Sequence, residues 1–348
     1  MGHPPPSRVY DMRQLEVREL GSTESGAWDA LIANSAQGTI FHTSDWLVGN
    51  ALLLDQPLIL LGCYDSEELI GGCPLYLSRA YRLLRVASSK AVSTPYGGVV
   101  ISDIGDTKQR TKEMRTHRII TAILEHISRQ GLDYVDMVNA PGLEDIRAFT
   151  QQGWNPAVYY TYVLPTHDDP LKTASKDVRQ NIRKARRLGI TSDRRFDPDI
   201  FWDLLARTFA KQGKEPPITE RHLRGIFDLI KAKGIGEMRV ASMPSGEIAA
   251  AEVTLWDAKM AHSLFAAASP EHLSTGAASF LCYENVNSLK ERSHRMLNLM
   301  AGNIPHLSAF ISGFNPGLIP YYGAESPGLR YRILKRLRDG VYPSNHTQ

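Results

Sequence analysis

The chain has 348 residues, 43% hydrophobic and 22% charged, with a net charge of +3. That length points to about two domains, the composition is that of a globular protein, and near-neutrality excludes a global field drawing in nucleic acid, so any basic character is local. Cys63, Cys73 and Cys282 have neither metal-ligand spacing nor an even count, which reads as free thiols in a reducing compartment. Residues 1–10 (MGHPPPSRVY) lack the apolar centre of a signal peptide, and Pro6 stands where a myristoylation motif wants Ser or Thr. No apolar run approaches the roughly 18 residues needed to cross a bilayer. The expectation is a cytoplasmic, soluble protein without integral membrane association, with residues 1–14 disordered.

In chain order, residues 15–20 alternate like a short strand, and helices are predicted over 25–34, capped by Ser25, and 44–54, behind Phe41 and Trp46. Strands at 57–64 and 69–77 form an antiparallel hairpin around Asp65, Ser66 and Glu67. Residues 93–100 (STPYGGVV) make a turn into a short strand, followed by a long helix at 107–130, a strand at 134–139, a helix at 143–151 and a strand at 158–164. The order then repeats. A basic helix at 177–190 leads to a charged strand at 190–196, helices at 199–211 and 219–233, and a meander at 237–243, 247–256 and 260–268. A helix at 275–291, a strand at 296–300 and a helical stretch near 306–312 follow. The chain closes with Pro320, Tyr321 and Tyr322 and a basic helix at 330–338. Matching element order in two halves suggests duplication, although the residues do not visibly repeat. The fold class is α/β with largely antiparallel sheets, in two tandem domains at 15–168 and 169–348.

The segment 177–190, DVRQNIRKARRLGI, buries Val178, Ile182 and Ala185 at helical spacing, and Gly189 ends it. Arg179, Arg183, Arg186 and Arg187 share another face, flanked by Lys176 and Lys184. Such a face is either solvated or a phosphate-binding surface.

At 273–278, Ser274, Thr275, Gly276, Ala277 and Ala278 join a strand to a helix. Unpaired N–H groups and the macrodipole there would hold a pyrophosphate, with Gly276 and Ala278 permitting close approach; plain N-capping is the alternative. Glu252 interrupts the apolar strand IAAAEVTL. With Trp256 opposite Met260, Glu252 faces Leu264 and becomes a diagonal neighbour of His262 on one face. That pair would take a proton from an attacking amine or share a structural hydrogen bond, and a one-residue slip would undo it. Asp103, with Asp106, would bind or deprotonate a substrate or serve a turn. Tyr96, Gly97 and Gly98 read as a cleft wall. No metal-ligand spacing, G-x-G-x-x-G after a strand, or P-loop is present, which excludes a dinucleotide fold and an NTPase.

On these residues the chain resembles the FemABX aminoacyltransferases, which carry the Gcn5-related N-acyltransferase (GNAT) fold in tandem. The resemblance rests on the arginine-rich helix, on residues 41–46 (FHTSDW), 94–100 (TPYGGVV), 263–269 (SLFAAAS) and 297–303 (LNLMAGN), and on 310–314. It spans residues 15–325 and implies a cleft between the domains. Tyr96 and the basic helix with Arg179 and Arg183 would stand on the acceptor side and His262, Asn303 and Phe310 would contact the donor, while Trp46, Gly97, Gly98, Phe314 and Tyr321 would also bind substrate. The chain departs from the family at Ile311, which stands where members carry Lys, and at Asn50, where cell-wall-directed members have Lys. It also lacks the coiled-coil arm of some members. The implied function is transfer of an aminoacyl group from aminoacyl-tRNA to an amine of a small peptide, metabolite or cell-wall precursor. No covalent enzyme intermediate and no tightly bound cofactor are needed. An acyl-CoA-dependent N-acyltransferase and a non-catalytic binding protein are the other readings.

Overall fold

The computed structural model describes residues 15–341, so the expected disorder of residues 1–14 falls outside the described residues. The first half runs β1 (Glu16–Glu19), α1 (Ser25–Ala33), α2 (Ser44–Leu54), β2 (Leu58–Asp65), β3 (Glu68–Ala80), β4 (Leu84–Ser88), β5 (Val100–Ile101), α3 (Gln109–Ser128), β6 (Tyr134–Val138), α4 (Arg147–Gln151) and β7 (Asn155–Pro165). The second half runs α5 (Lys176–Arg187), β8 (Thr191–Arg194), α6 (Pro198–Ala210), α7 (Glu220–Lys233), β9 (Gly236–Ser242), β10 (Ile248–Trp256), β11 (Ala261–Ala268) and α8 (Ala277–Glu291). It closes with β12 (Met296–Met300), α9 (Pro305–Ser312), β13 (Gly317–Pro327) and α10 (Leu329–Val341). The expected repeated order, mixed α/β and mostly antiparallel, is what the structure has.

All the strands share one sheet, ordered β1-β2-β3-β4-β6-β13-β7-β12-β11-β10-β9-β8, with β5 on β3. The centre of that order is an exchange. β13, from the end of the chain, lies antiparallel between β6 and β7 of the first half, from Gly323 opposite Val138 to Gly317 opposite Val163. In turn β7 pairs with β12 of the second half, Leu164 opposite Leu297. Each half therefore lends a strand to the other's ladder, and the backbone hydrogen bonds of the middle strands are satisfied only when both halves are present.

Sequence patterning missed β13. Pro320 and Pro327, with Gly317 and Gly323, lower its apparent strand character. Gly323 is required there because a Cβ would stand 2.8 Å from the Met137 carbonyl and 3.0 Å from the Tyr159 ring.

Helices cover both faces. On one, α3 and α4 pack on the first half through Ile119, Ile120, Ile123 and Phe149, while α5 and α8 cover the second through Ile182, Phe280 and Val286. On the other, α6 and α7 bring Phe201, Leu204, Phe227 and Ile230 against β9 and β10 and into one cluster with Phe41, Trp46 and Tyr96 of the first half. No helix among the described residues is long and apolar enough to cross a membrane.

Because β13 and β7 each belong to both halves' ladders, calorimetric unfolding should give a single transition with calorimetric and van't Hoff enthalpies in agreement. Two resolved transitions would show that the halves are independent.

Candidate functional site

The two halves meet at a buried polar cluster. The Tyr96 hydroxyl lies 3.3 Å from His262 Nδ1 and accepts a hydrogen bond from Asn298 Nδ2 at 3.2 Å. Asn298 Oδ1 accepts from Thr161 Oγ1 at 2.6 Å and from the Met300 N–H at 2.9 Å. Tyr96 and His262 are fully buried, and Asn298 and Thr161 nearly so. Burial pushes the Tyr96 phenol well above its ordinary pKa, so it stays protonated. His262 Nε2 stands 3.7 Å from Asp257 Oδ2. The rings of Phe41 and Tyr96 meet the His262 ring edge-on at 5.2 and 6.5 Å.

The β10–β11 turn carries the same junction outward. Asp257 Oδ2 accepts from the Ile40 N–H at 2.7 Å, and Lys259 Nζ donates to the carbonyls of Ile32, Ser35 and Gly38 at 2.9, 2.6 and 3.2 Å. An ammonium on carbonyls released at the end of α1 is a favourable C-terminal arrangement. Burial opposes ionisation of Asp257, but the His262 ring and the Lys259 and Met260 N–H groups outweigh it and hold the carboxyl below its ordinary pKa.

At this point the sheet opens. β11 and β12 are parallel partners only at Ala261 with Leu297 and His262 with Asn298, although β11 continues to Ala268. From Ser263 onward β11 has no β12 partner, and its side chains become partly exposed. Met300 and Ala301, at the end of β12, have φ of 56° and 51°, a left-handed turn that carries the chain away from β11. Asn303 then clamps the far side: Oδ1 accepts from the Tyr160 N–H at 2.9 Å, and Nδ2 donates to the Tyr160 carbonyl at 3.1 Å and the Tyr321 hydroxyl at 3.2 Å. Tyr321 stacks on Tyr159 at 5.3 Å and meets Tyr96 edge-on at 5.8 Å.

The register around the fork corrects the expected pairing of Glu252 with His262. Glu252 pairs with Ala266, Val253 with Phe265, Thr254 with Ser263 and Leu255 with His262, so Leu264 is an extra residue in β11. The turn pairs Trp256 with Ala261 rather than with Met260, and this one-residue slip sets His262 opposite Leu255 on the Tyr96 face, leaving Glu252 on the α8 face. Glu252 Oε1 instead accepts from Ser263 Oγ at 2.7 Å. Burial raises the Glu252 pKa, opposed by hydrogen bonds from Ser263 and Asn285. The two residues thus approach the fork from opposite sides of the sheet.

Other expected positions also differ. Tyr96 is no exposed cleft wall, because Phe41, Tyr321 and His262 enclose its ring. Gly97 and Gly98 admit protein, not ligand: their Cβ positions lie 2.3 Å from the Ser89 carbonyl and 2.0 Å from Asn139 Oδ1. Trp46 is fully buried, its Nε1 donating to Thr94 Oγ1 at 2.9 Å. Asn50 donates to the same oxygen and to the Val92 carbonyl, both at 2.9 Å, so a lysine there would bury an unpaired ammonium. Asp103 is exposed and accepts from the Gly105 N–H at 2.9 Å, serving the turn rather than the fork. Gly276 does not open a place for pyrophosphate, since its Cβ position is 2.2 Å from the Asn181 carbonyl of α5.

Ser274 and Thr275 are bound up in this packing, with the Ser274 carbonyl accepting from Lys184 Nζ at 2.6 Å and Thr275 Oγ1 donating to the His272 carbonyl at 2.6 Å. Ala277 N donates weakly to Thr275 Oγ1 at 3.3 Å; Ala278 follows in the first turn of α8, which has no side-chain N-cap. Ile311 and Phe314 belong to the core, while Phe310 is 37% exposed. On α5, Arg179 donates to the Ala174 carbonyl, and Arg186 stacks over Tyr283 at 5.1 Å and pairs with Glu284 at 3.7 Å. Lys176, Arg183 and Arg187 point to solvent.

Sequence reasoning passed over Asn298, Thr161, Asp257 and Lys259. An Asn within the apolar strand MLNLM was a readable signal; the others depend on contacts between the halves. Among the described residues no cluster of three His, Cys, Asp or Glu is placed to hold a metal.

Residues 172–306 match the family model of the acetyltransferase (GNAT) domain. No curated protein matches the sequence. Among solved structures the fold is similar to FemX, with a TM-score of 0.67 and 11% identity over 92% of this chain and 99% of that one. It is similar also to the C-terminal domain of a putative lysylphosphatidylglycerol synthetase from Agrobacterium fabrum, with a TM-score of 0.57 and 14% identity over 92% and 96% of the two chains. A tandem GNAT protein from the clavulanic acid biosynthesis pathway matches with a TM-score of 0.56 and 12% identity over 90% and 98%. The resemblance to tandem GNAT proteins is borne out in the fold.

His42 supplies the pH test of the junction. It is fully buried, and desolvation, reinforced by Lys259, depresses its pKa from 6.5 to about 3. The unfolded chain therefore takes up a proton below pH 6.5 that the folded chain refuses until about pH 3, so stability is full above 6.5 and declines as pH falls through that window. Urea midpoints from pH 7 to 4 should show His42→Gln declining less than the parent; parallel declines would remove His42 as the cause.

Proposed function

From a fold that carries the acetyltransferase (GNAT) domain at residues 172–306, we propose that the protein is an acyltransferase that moves an aminoacyl group from aminoacyl-tRNA to an amine. The observation that carries this reading is the parting of β11 from β12 after a two-residue parallel contact. It leaves one edge of β11 without a strand partner from Ser263 onward, where an extended donor can lie and its carbonyl can be polarised by backbone N–H groups. Holding that carbonyl beside the amine supplies much of the rate enhancement, and no nucleophilic side chain is needed.

Glu252 is the proton acceptor in this scheme. Burial raises its pKa, which makes it a stronger base than an ordinary carboxylate. Ser263, the first residue past the fork, passes the amine proton on through its 2.7 Å hydrogen bond to Glu252 as the amide C–N bond forms, and that proton goes to the ribose oxygen of the tRNA when the ester C–O bond breaks. Tyr96, His262 and Asn298 hold the shape of the fork from the opposite face. The acceptor is a small peptide, metabolite or cell-wall precursor amine.

Two observations favour aminoacyl-tRNA over acyl-CoA. The absent side chain of Gly276 is accounted for by the Asn181 carbonyl of α5, 2.2 Å from its Cβ position, so this glycine needs no pyrophosphate to explain it. The outer face of α5 carries Arg183 and Arg187 into solvent without an ion pair among the described residues, and unpaired arginines suit RNA phosphates. Similarity in fold to FemX and to the putative lysylphosphatidylglycerol synthetase supports an aminoacyl donor.

Radiolabelled aminoacyl-tRNA and acyl-CoA offered to candidate amines separate the donors. RNase-sensitive incorporation is expected, and RNase-insensitive transfer from acyl-CoA would overturn the tRNA reading. Arg183→Glu should weaken tRNA binding roughly tenfold at low salt, with the difference shrinking as salt rises; equal affinities would return α5 to a solvated face. Glu252→Gln should lower kcat by about 100-fold or more with KM little changed, and an unchanged kcat would remove Glu252 as the base.

A further inference from the structure

The end of the sheet remote from the fork carries a surface that the transferase reading leaves unused. α10 is a helix of 13 residues, LRYRILKRLRDGV. Its inner side is fastened to the first half: Tyr331 stacks on Tyr134 at 4.4 Å and meets Tyr81 at 6.2 Å, and Arg330 pairs with Asp133 at 3.3 Å. Its outer side is apolar where solvent should favour charge. Leu329, Ile333 and Leu337 recur every four residues and are 67%, 49% and 60% exposed. At the tip of the β3–β4 hairpin, whose Tyr81 meets Tyr331 of α10, Leu83 is 69% exposed.

An apolar stripe of this kind, exposed and rimmed by charge, marks a surface that docks on something. The charges around it say what. Arg332 and Arg336 flank the stripe on one side and Arg330 on the other, Lys335 stands on the same helix, and Arg82 adjoins Leu83. The acidic groups nearby are already engaged, Asp133 by Arg330 and Glu325 by the Tyr134 hydroxyl at 2.7 Å. At about 20 Å the helix is too short to span a hydrocarbon core, but it has the pattern of one that lies in the plane of an interface, leucines down and arginines among anionic headgroups.

We propose that α10, together with the Leu83 hairpin tip, docks the protein onto the surface of an anionic lipid bilayer. Both anchors belong to the first half or are stapled to it, so docking leaves the fork between β11 and β12 and the α5 face away from the lipid contact.

Co-sedimentation of the full chain with phosphatidylcholine vesicles, with and without phosphatidylglycerol, tests this. Binding is expected only to the anionic vesicles and should weaken as salt rises. The pair Ile333→Asp with Leu337→Asp should lower partitioning roughly tenfold or more, as should Arg332→Glu with Arg336→Glu. Leu83→Asp, at a separate site in the chain, should also weaken it. These positions are exposed, so thermal midpoints should not move. Failure to bind anionic vesicles, or binding indifferent to all three changes, would overturn the proposal. So would variants that dissociate a dimer or abolish tRNA binding while vesicle binding persists, since α10 would then face protein or RNA.

Discussion

Strand β13 enters the sheet between two strands of the other half, and everything at the centre of the molecule follows from that placement. A strand in mid-sheet must satisfy ladder hydrogen bonds on both sides, so β6 and β7 are held at a fixed separation by a segment far away in sequence. β7, so fixed, offers its other edge to β12, and β12 brings Asn298 to Thr161 and Tyr96. The buried polar cluster is thus a consequence of the exchange. It also makes the exchange specific, because a shifted register would leave Asn298, Tyr96 and His262 unpaired in the core, at a penalty of roughly 1–3 kcal/mol for each group.

The fork arises from opposed geometric demands on β11. On one side it follows β10 through a bulge at Leu264, which bends and twists the strand. On the other it starts parallel to β12, which the exchange holds against β7. The strands cannot satisfy both and separate after two residues. His262 and Ser263 sit on either side of that point and face opposite ways, so a rigid aromatic cluster supports one face while a buried carboxylate serves the other. The arrangement puts the His262 cluster and the Ser263–Glu252 hydrogen bond on separate faces of the sheet, from residues adjacent in sequence.

Much of this was legible in the residues and some was not, for physical reasons. Hydrophobic periodicity located the helices and the meander, and the repeated order of elements pointed to a duplicated fold. α5 was read almost to the residue because Val178, Ile182, Ala185 and Gly189 are unambiguous signals. β13 escaped because its prolines and glycines look like loop, their costs being met by neighbours on both sides. The Glu252–His262 pairing failed because the turn sets Trp256 opposite Ala261 instead of Met260, a one-residue slip that alternation alone does not register. Gly97, Gly98 and Gly276 were correctly singled out as close approaches, but the approaching groups are protein: the Ser89 carbonyl, Asn139 and the Asn181 carbonyl. A glycine states that space is needed and says nothing about what fills it.

The two departures from the resembling family have a common physical origin. Asn50 is fully buried and ties down the segment that bears Thr94 and Tyr96, and Ile311 is packed in the core near Val178 and Ile182. Each position is enclosed by packing that an ammonium group could enter only by losing its hydration without a partner. Charge developing on a donor carbonyl at the fork would therefore not be met by a lysine from α9. It would fall to oriented backbone dipoles along the open edge of β11, which are already fixed by the β10 ladder and need no reorganisation as charge appears. On that argument the missing lysine changes which groups stabilise the transition state, and the rigidity of the strand exchange becomes part of the catalytic apparatus, because backbone dipoles work only as well as they are held.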